Sequence, residues 1–197
     1  MKMMTARLPE PFRVADGWLH AARKVPSPNY RPRPEGEAVD LLVLHCISLP
    51  AGHFGGEEVE RFFTNRLDCD AHPAFDSIRD LQVSAHLFIR RTGEIIQFVS
   101  FDEAAWHAGR SCWGDREDCN RFSIGIELEG TDDQPFTEAQ YGALHLATLA
   151  IMVAYPDIGL AQVCGHSDIA PGRKTDPGTE FDWHGYRTRL QASLVRP

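Results

Sequence analysis

Leu41-Leu42-Val43-Leu44-His45-Cys46-Ile47 is an apolar run broken by one imidazole and bounded by Asp40 and the Ser48-Leu49-Pro50 turn. Near-continuous apolarity of that length between turn signals predicts a central strand buried on both faces. Residues 123–129 (Ser-Ile-Gly-Ile-Glu-Leu-Glu) alternate instead. Ile124, Ile126 and Leu128 share a core face, with Glu127 and Glu129 on the other. Val83–Arg91 and Glu94–Phe101 flank Thr92-Gly93 and predict a β-hairpin, and Gln162–Gly165 a further short strand. Helical spacing appears three times. Glu57–Phe63 follows Gly55-Gly56, has acidic residues in its first turn and turns Val59, Phe62, Phe63 and Leu67 to one side. Thr137-x-x-Gln140 is a capping box opening a helix to about Ala154, before Pro156. Asp182 caps a last helix carrying Trp183, Tyr186, Leu190 and Leu194. Residues 1–38, rich in proline, read as a loop-like arm packed on a 39–197 domain, with one helical turn around Trp18–Arg23.

Strands and helices interleave, which predicts an α/β chain: one structural domain with a mixed central β-sheet flanked by helices. In such sheets ligands gather at strand ends and adjoining loops, and two long connections, 68–82 and 106–120, are candidates for function. With 197 residues, 43% of them hydrophobic, the chain is long enough to bury roughly 70% of its unfolded surface in one core. A net charge of −8 argues against nucleic-acid binding, which needs a basic surface. The five cysteines are odd in number and irregularly spaced, unlike a disulfide framework. The opening MKMMTARLPEPFRV lacks the apolar core of a signal peptide. The most apolar run, 143–154, is shorter than the roughly 20 residues of a membrane span. These features predict a cytoplasmic protein with no membrane or nucleic-acid contact, and no protein partner is implied.

Chemistry concentrates in Gly165-His166-Ser167-Asp168-Ile169-Ala170-Pro171-Gly172-Arg173-Lys174-Thr175-Asp176-Pro177-Gly178. His166 falls at a strand end, and the prolines and glycines predict a loop rather than a helix. Asp176, before Pro177, is biased toward extended geometry, which turns Lys174 and Asp176 the same way. One histidine and one carboxylate are an incomplete set for a catalytic zinc, which takes three protein ligands and keeps a position for water. His45 is a candidate third ligand, although a lone histidine in a core strand is more often a hydrogen-bonded structural residue. Cys164, two residues before His166, and Cys69-x-x-His72 are rival donors, and spacing alone leaves these sets open. A two-His, one-carboxylate zinc beside Glu127 and a cation would hydrolyse an amide or ester.

Four segments in order, 41–50, Ala105-Trp106-His107-Ala108-Gly109, 123–131 and 165–178, together with Asp16-Gly17-Trp18-Leu19 and 25–30, resemble the zinc N-acetylmuramoyl-L-alanine amidases over about residues 16–185. The resemblance implies that His45, His166 and Asp176 bind Zn2+, that Glu127 is the general acid/base and that Lys174 stabilises the transition state. It implies the fold of phage-type lysozyme amidases and peptidoglycan-recognition proteins. The implied reaction is hydrolysis of the amide between the lactyl group of (1,6-anhydro-)N-acetylmuramic acid and L-alanine of small muropeptides, in cell-wall recycling. Cys46 stands where asparagine is usual, and Gln82 and Asp118 stand where basic residues are expected near the substrate cleft. Losing two cations there weakens attraction for stem-peptide carboxylates. Trp106 suits packing against a sugar face or anchoring its own loop. Two rival functions remain: a related fold that binds peptidoglycan fragments without cleaving them, and an amidase of the polymeric wall.

Overall fold

A computed structural model describes residues 8–195. A six-stranded sheet runs in the order Val163–Gly165, Leu41–Ile47, Ser123–Glu129, Leu87–Ile89, Ile95–Gln97, Arg23–Lys24. The first four strands are mutually parallel, Ile95–Gln97 is antiparallel to Leu87–Ile89, and Arg23–Lys24 is parallel to Ile95–Gln97. This is the expected mixed sheet of an α/β domain.

The sheet is buried on both faces, as parallel strands require. On one face Leu42, Leu44, Ile124, Ile126 and Leu128 pack with Leu144, Ala147 and Ile151 of the helix Glu138–Ala154 and with Tyr186 and Leu190 of the helix Trp183–Val195. Each large apolar side chain buried this way contributes about 1.5–3 kcal/mol. On the other face Leu41 and Val43 pack with Ala108, Cys119, Phe122, Cys164 and Ile169. The short helix Glu58–Phe63 buries Val59, Phe62 and Phe63 against the hairpin end of the sheet. Both predicted caps form. Thr137 and Gln140 make the reciprocal capping box, and Asp182 Oδ1 accepts the Gly185 N–H at 2.8 Å.

Three local expectations differ from the structure. Trp18–Arg23 is not helical. Asp16 and Gly17 both have positive φ, 52° and 74°, the signature of a two-residue hairpin turn joining Val14–Ala15 to Trp18–Leu19. The chain then adds Arg23–Lys24 to the sheet edge and pairs Tyr30–Pro32 with Glu103–Ala105. The Thr92-Gly93 hairpin keeps only three residues in each strand. Its outer backbone groups are taken elsewhere: the Ser84 N–H by Trp106 O, and Gln97 O and Phe98 O by the Val25 and Ser27 amides. Residues 166–169 form one helical turn rather than loop, because Asp168 Oδ2 caps the Gly165 N–H at 2.8 Å and the Ala170 N–H closes onto His166 O. The alternation of Ser123–Glu129 holds, with every residue buried: opposite the core, Ser123 and Gly125 meet His107, and Glu129 meets the Gly55 and Arg91 amides.

Candidate metal centre and active site

Parallel register pairs Glu127 with His45 and Gly165 with Leu44. The strands bearing His45 and Glu127 and the one leading into His166 therefore end side by side at one carboxyl edge of the sheet, where open α/β sheets hold ligands. Asp176 reaches the same edge from the following loop, whose carbonyl accepts the Ser167 N–H at 3.1 Å. His45 Nδ1 lies 2.9 Å from His166 Nδ1 and 3.1 Å from Asp176 Oδ2, and His166 Nδ1 lies 3.0 Å from Asp176 Oδ2. Donors about 2.0–2.1 Å from a tetrahedral zinc sit roughly 3.3–3.4 Å from one another. The observed triangle needs to open by only a few tenths of an ångström. Among the described residues this is the one group of three such side chains close enough to hold a metal ion. The rival donors are engaged otherwise. Cys164 is buried among Leu41, Val43 and Cys119, and His72 Nδ1 caps the turn Pro73–Ile78 by accepting the Ala74 N–H.

The far nitrogen of each imidazole also has a partner. His166 Nε2 donates to Ala108 O at 3.0 Å, which leaves Nδ1 as a bare lone pair. His45 Nε2 lies 2.9 Å from His107 Nδ1, and His107 Nε2 lies 3.0 Å from Ser123 Oγ. Assigning protons to both Nε2 atoms runs that chain from His45 through His107 to the serine oxygen. Two imidazole lone pairs and a carboxylate oxygen then converge with no proton among them, a donor set suited to a cation. Burial pushes His45 down to about 4, so its ring is neutral near pH 7. Burial alone would raise the Asp176 carboxyl, but the two imidazoles beside it hold it well below the usual carboxylate range, so it brings the negative charge of the donor set.

Glu127 completes the edge. It is 9% exposed and its Oε2 has no hydrogen-bond partner. Burial first, and the Asp176 charge second, raise its pKa well above the ordinary value, against the pull of Lys174. Lys174 is exposed, and its charge acts on both Glu127 and His45. The three substrate-side residues are placed less uniformly. Trp106 is half-buried, its backbone tied both ways to Ser84. Gln82 is exposed. Asp118 ion-pairs with Arg31 and, with Arg110 and Arg173, lines a cleft of about 810 Å3 that runs past Ile169 and Ala170.

Sequence reasoning assigned no role to several residues that shape this edge. Asp132 accepts from Cys46 Sγ at 3.2 Å and from Thr175 Oγ1, tying the neighbour of His45 to the neighbour of Asp176. His107 lies against the sheet because residue 125 is glycine. A Cβ there would stand 2.4 Å from His107 Cγ. That glycine between two isoleucines inside a strand is the available signal, since such glycines mark a close approach.

Two imidazoles and two carboxylates at the carboxyl edge of a mixed sheet make a candidate metal centre on an α/β fold, a set suited to hydrolysis. Residues 35–179 match the family model described as N-acetylmuramoyl-L-alanine amidase. The chain belongs to that family. The 1,6-anhydro-N-acetylmuramyl-L-alanine amidase AmpD of Escherichia coli K12 is 56% identical over 174 residues, 88% of this chain and 94% of that protein. A crystal structure of a selenomethionine AmpD derivative superposes with a TM-score of 0.86 at 52% identity, covering 92% of this chain and 99% of that one. The complex of the E. coli amidase AmiD with anhydro-N-acetylmuramic acid-L-Ala-D-gamma-Glu-L-Lys is more distant: TM-score 0.58, 30% identity, 81% of this chain and 61% of that one.

Proposed function

We propose that this enzyme uses zinc, held by His45 Nδ1, His166 Nδ1 and Asp176 Oδ2, to hydrolyse the amide between the lactyl group of anhydro-N-acetylmuramic acid and L-alanine in soluble muropeptides. The observation that carries this reading is the triangle of three donors, 2.9–3.1 Å apart, beside the buried carboxylate of Glu127. The name of the E. coli AmpD relative and the muropeptide bound to AmiD support the substrate. Five free cysteines support a reducing compartment, the cytoplasm. No helix among the described residues is long and apolar enough to cross a membrane.

Bound zinc supplies Lewis-acid polarisation of the scissile carbonyl and a water of lowered pKa. Glu127 accepts the proton of the attacking water as the oxygen–carbon bond forms. It returns that proton to the alanine nitrogen as the carbon–nitrogen bond breaks. A carboxylate of raised proton affinity suits this shuttle, because once ionised it is a better base and it can hold the proton between the two steps. The Lys174 ammonium offsets the negative charge that develops on the amide oxygen.

The test is mass spectrometry of products from an anhydro-muropeptide bearing one stem peptide, with and without a chelator. The expected products are anhydro-N-acetylmuramic acid and the free peptide beginning at L-alanine, one water heavier in total. The chelator should stop their formation and added zinc should restore it. Binding without cleavage, zinc present, would make the chain a recognition module. Equal rates on a reducing-end muropeptide, or faster release from polymeric wall, would overturn the substrate.

A further inference from the structure

The groups behind the two metal-site histidines come from consecutive residues. His107 Nδ1 stands behind His45, and the carbonyl of Ala108 behind His166. The placement of one dipeptide therefore sets the aim of both imidazoles. The two amides of that dipeptide share one acceptor: Asn120 Oδ1 takes the N–H of His107 at 3.1 Å and the N–H of Ala108 at 2.8 Å, while the dipeptide's outward groups meet Ser123 Oγ at 3.0 Å and Arg173 Nη2 at 2.8 Å. Two successive amides converging on one oxygen form a small concave cradle.

Asn120 is buried, in the turn Cys119–Arg121, and that turn is pinned from its other side. Arg33 Nη1 donates to the carbonyls of Asn120 and Arg121 at 3.1 and 2.8 Å, and its Nη2 to Ser123 O at 2.9 Å. Ser123 also supplies the hydroxyl that meets His107 Nε2. The clamp is thus anchored to the backbone of the strand that carries Glu127, at a fixed offset from the reacting edge.

We infer that Asn120 is a positioning residue of the metal centre, its single side-chain oxygen fixing the tautomer and direction of both His45 and His166. It touches neither metal ligand. The inference rests on the reading that His45, His166 and Asp176 hold zinc. Removing Oδ1 strands two amides and loosens the dipeptide that carries both outer partners, leaving its polar contacts to Ser123 and Arg173. Loss of such outer partners weakens metal affinity by about 10- to 100-fold.

Zinc affinity is measured by chelator competition on the full chain for wild type, Asn120→Ala and Asn120→Asp. Long-range 15N–1H NMR of labelled histidines reads which ring nitrogen carries the proton. Asn120→Ala should bind zinc about 10- to 100-fold more weakly and show mixed tautomers at His45 and His166. Asn120→Asp keeps an acceptor oxygen and should stay close to wild type in both readouts. A merely structural role would lower the metal-free melting temperature and leave the tautomers alone. Wild-type zinc affinity and unchanged tautomers in Asn120→Ala would overturn the proposal. An equal loss in both folded variants would also overturn it. Should Asn120→Ala fail to fold, amide exchange in the wild type decides: His107 and Ala108 amides exchanging as unprotected loop positions would overturn the clamp, and protection supports it. Failure of the wild type to take up zinc would sink the metal reading and this proposal together, a result distinct from normal wild-type uptake with no effect of Asn120→Ala.

Discussion

Glu127 and Glu129 project from the same face of one strand, two residues apart, 9% and 4% exposed. Around Glu129 the chain has folded to meet the carboxylate. Oε1 accepts the Gly55 N–H at 2.5 Å, Oε2 accepts the Arg91 N–H at 2.9 Å, and Arg90 Nη1 lies 3.8 Å away. Around Glu127 it has not: Oε2 has no partner, and the nearby carboxylate of Asp176 opposes ionisation. Burying a charge without hydrogen bonds costs free energy that burying it with them largely offsets. One carboxylate therefore ties loops to the strand, while the other is held in a state that favours taking up a proton. Residue type, strand and face are shared, so the surroundings alone set the two glutamates apart.

The sharpest break of that comparison is Glu127→Gln. Glutamine keeps the shape but cannot accept the proton, so turnover of a defined muropeptide should fall by about 10²–10⁴-fold. Zinc content by metal analysis and muropeptide binding by calorimetry should be retained. Near-normal turnover would end the general-base assignment. Lys174→Ala sharpens the same region from its solvent side. A group that stabilises the developing oxyanion acts in the transition state more than on bound substrate. The expected loss is about 100-fold in kcat with zinc content intact. A rise in KM alone would make Lys174 a substrate anchor instead.

What the sequence disclosed about these two regions follows from the range of the forces involved. The Leu41–Ile47 strand, the Thr137 and Asp182 caps and the alternation of 123–129 depend on residues within a few positions of one another, and they are present as read. The donor triangle joins residues 121 and 10 positions apart, where spacing has no diagnostic value. Family resemblance, not periodicity, separated His45 and Asp176 from Cys164, Cys69 and His72. The partners of Glu129 and the orphaned state of Glu127 were not legible at all, since they depend on where the 52–56 and 90–93 turns land. The same holds for His107, Asn120 and Arg33, whose hydrogen bonds cross between segments with no common pattern. Where local signals failed outright, at Trp18–Arg23 and His166–Ile169, a single turn or cap decided the conformation: positive φ at Asp16 and Gly17, and the Asp168 carboxylate on the Gly165 amide.

Glu129→Gln probes the structural half. One oxygen can still accept one amide, but the new NH2 must face the other donor, and the charge beside Arg90 disappears. A buried donor left unsatisfied costs about 1–3 kcal/mol, so the urea midpoint should fall accordingly while turnover stays near wild type. A stable Glu129→Gln protein with strongly reduced turnover would reverse the roles assigned to the two glutamates.

The smallest effect is expected where a carboxylate is neither buried nor chemical. Asp118 pairs with Arg31 in water, the two side chains 40% and 47% exposed, and such pairs contribute about 0–1 kcal/mol. Asp118 also holds a left-handed backbone, φ 57°, which aspartate tolerates better than arginine. Asp118→Arg should therefore lower stability by about 1 kcal/mol through the lost pair and the backbone together. It also places a fourth cation beside Arg31, Arg110 and Arg173 in the 810 Å3 cleft. If the acidic stem peptide lies there, KM should fall by about two- to fivefold at low salt, the gain fading as salt screens it. Because Asp118 touches none of the donors at the sheet edge, kcat should not change. An unaltered KM at low ionic strength would place the peptide elsewhere, and a changed kcat would mean the cleft communicates with Glu127.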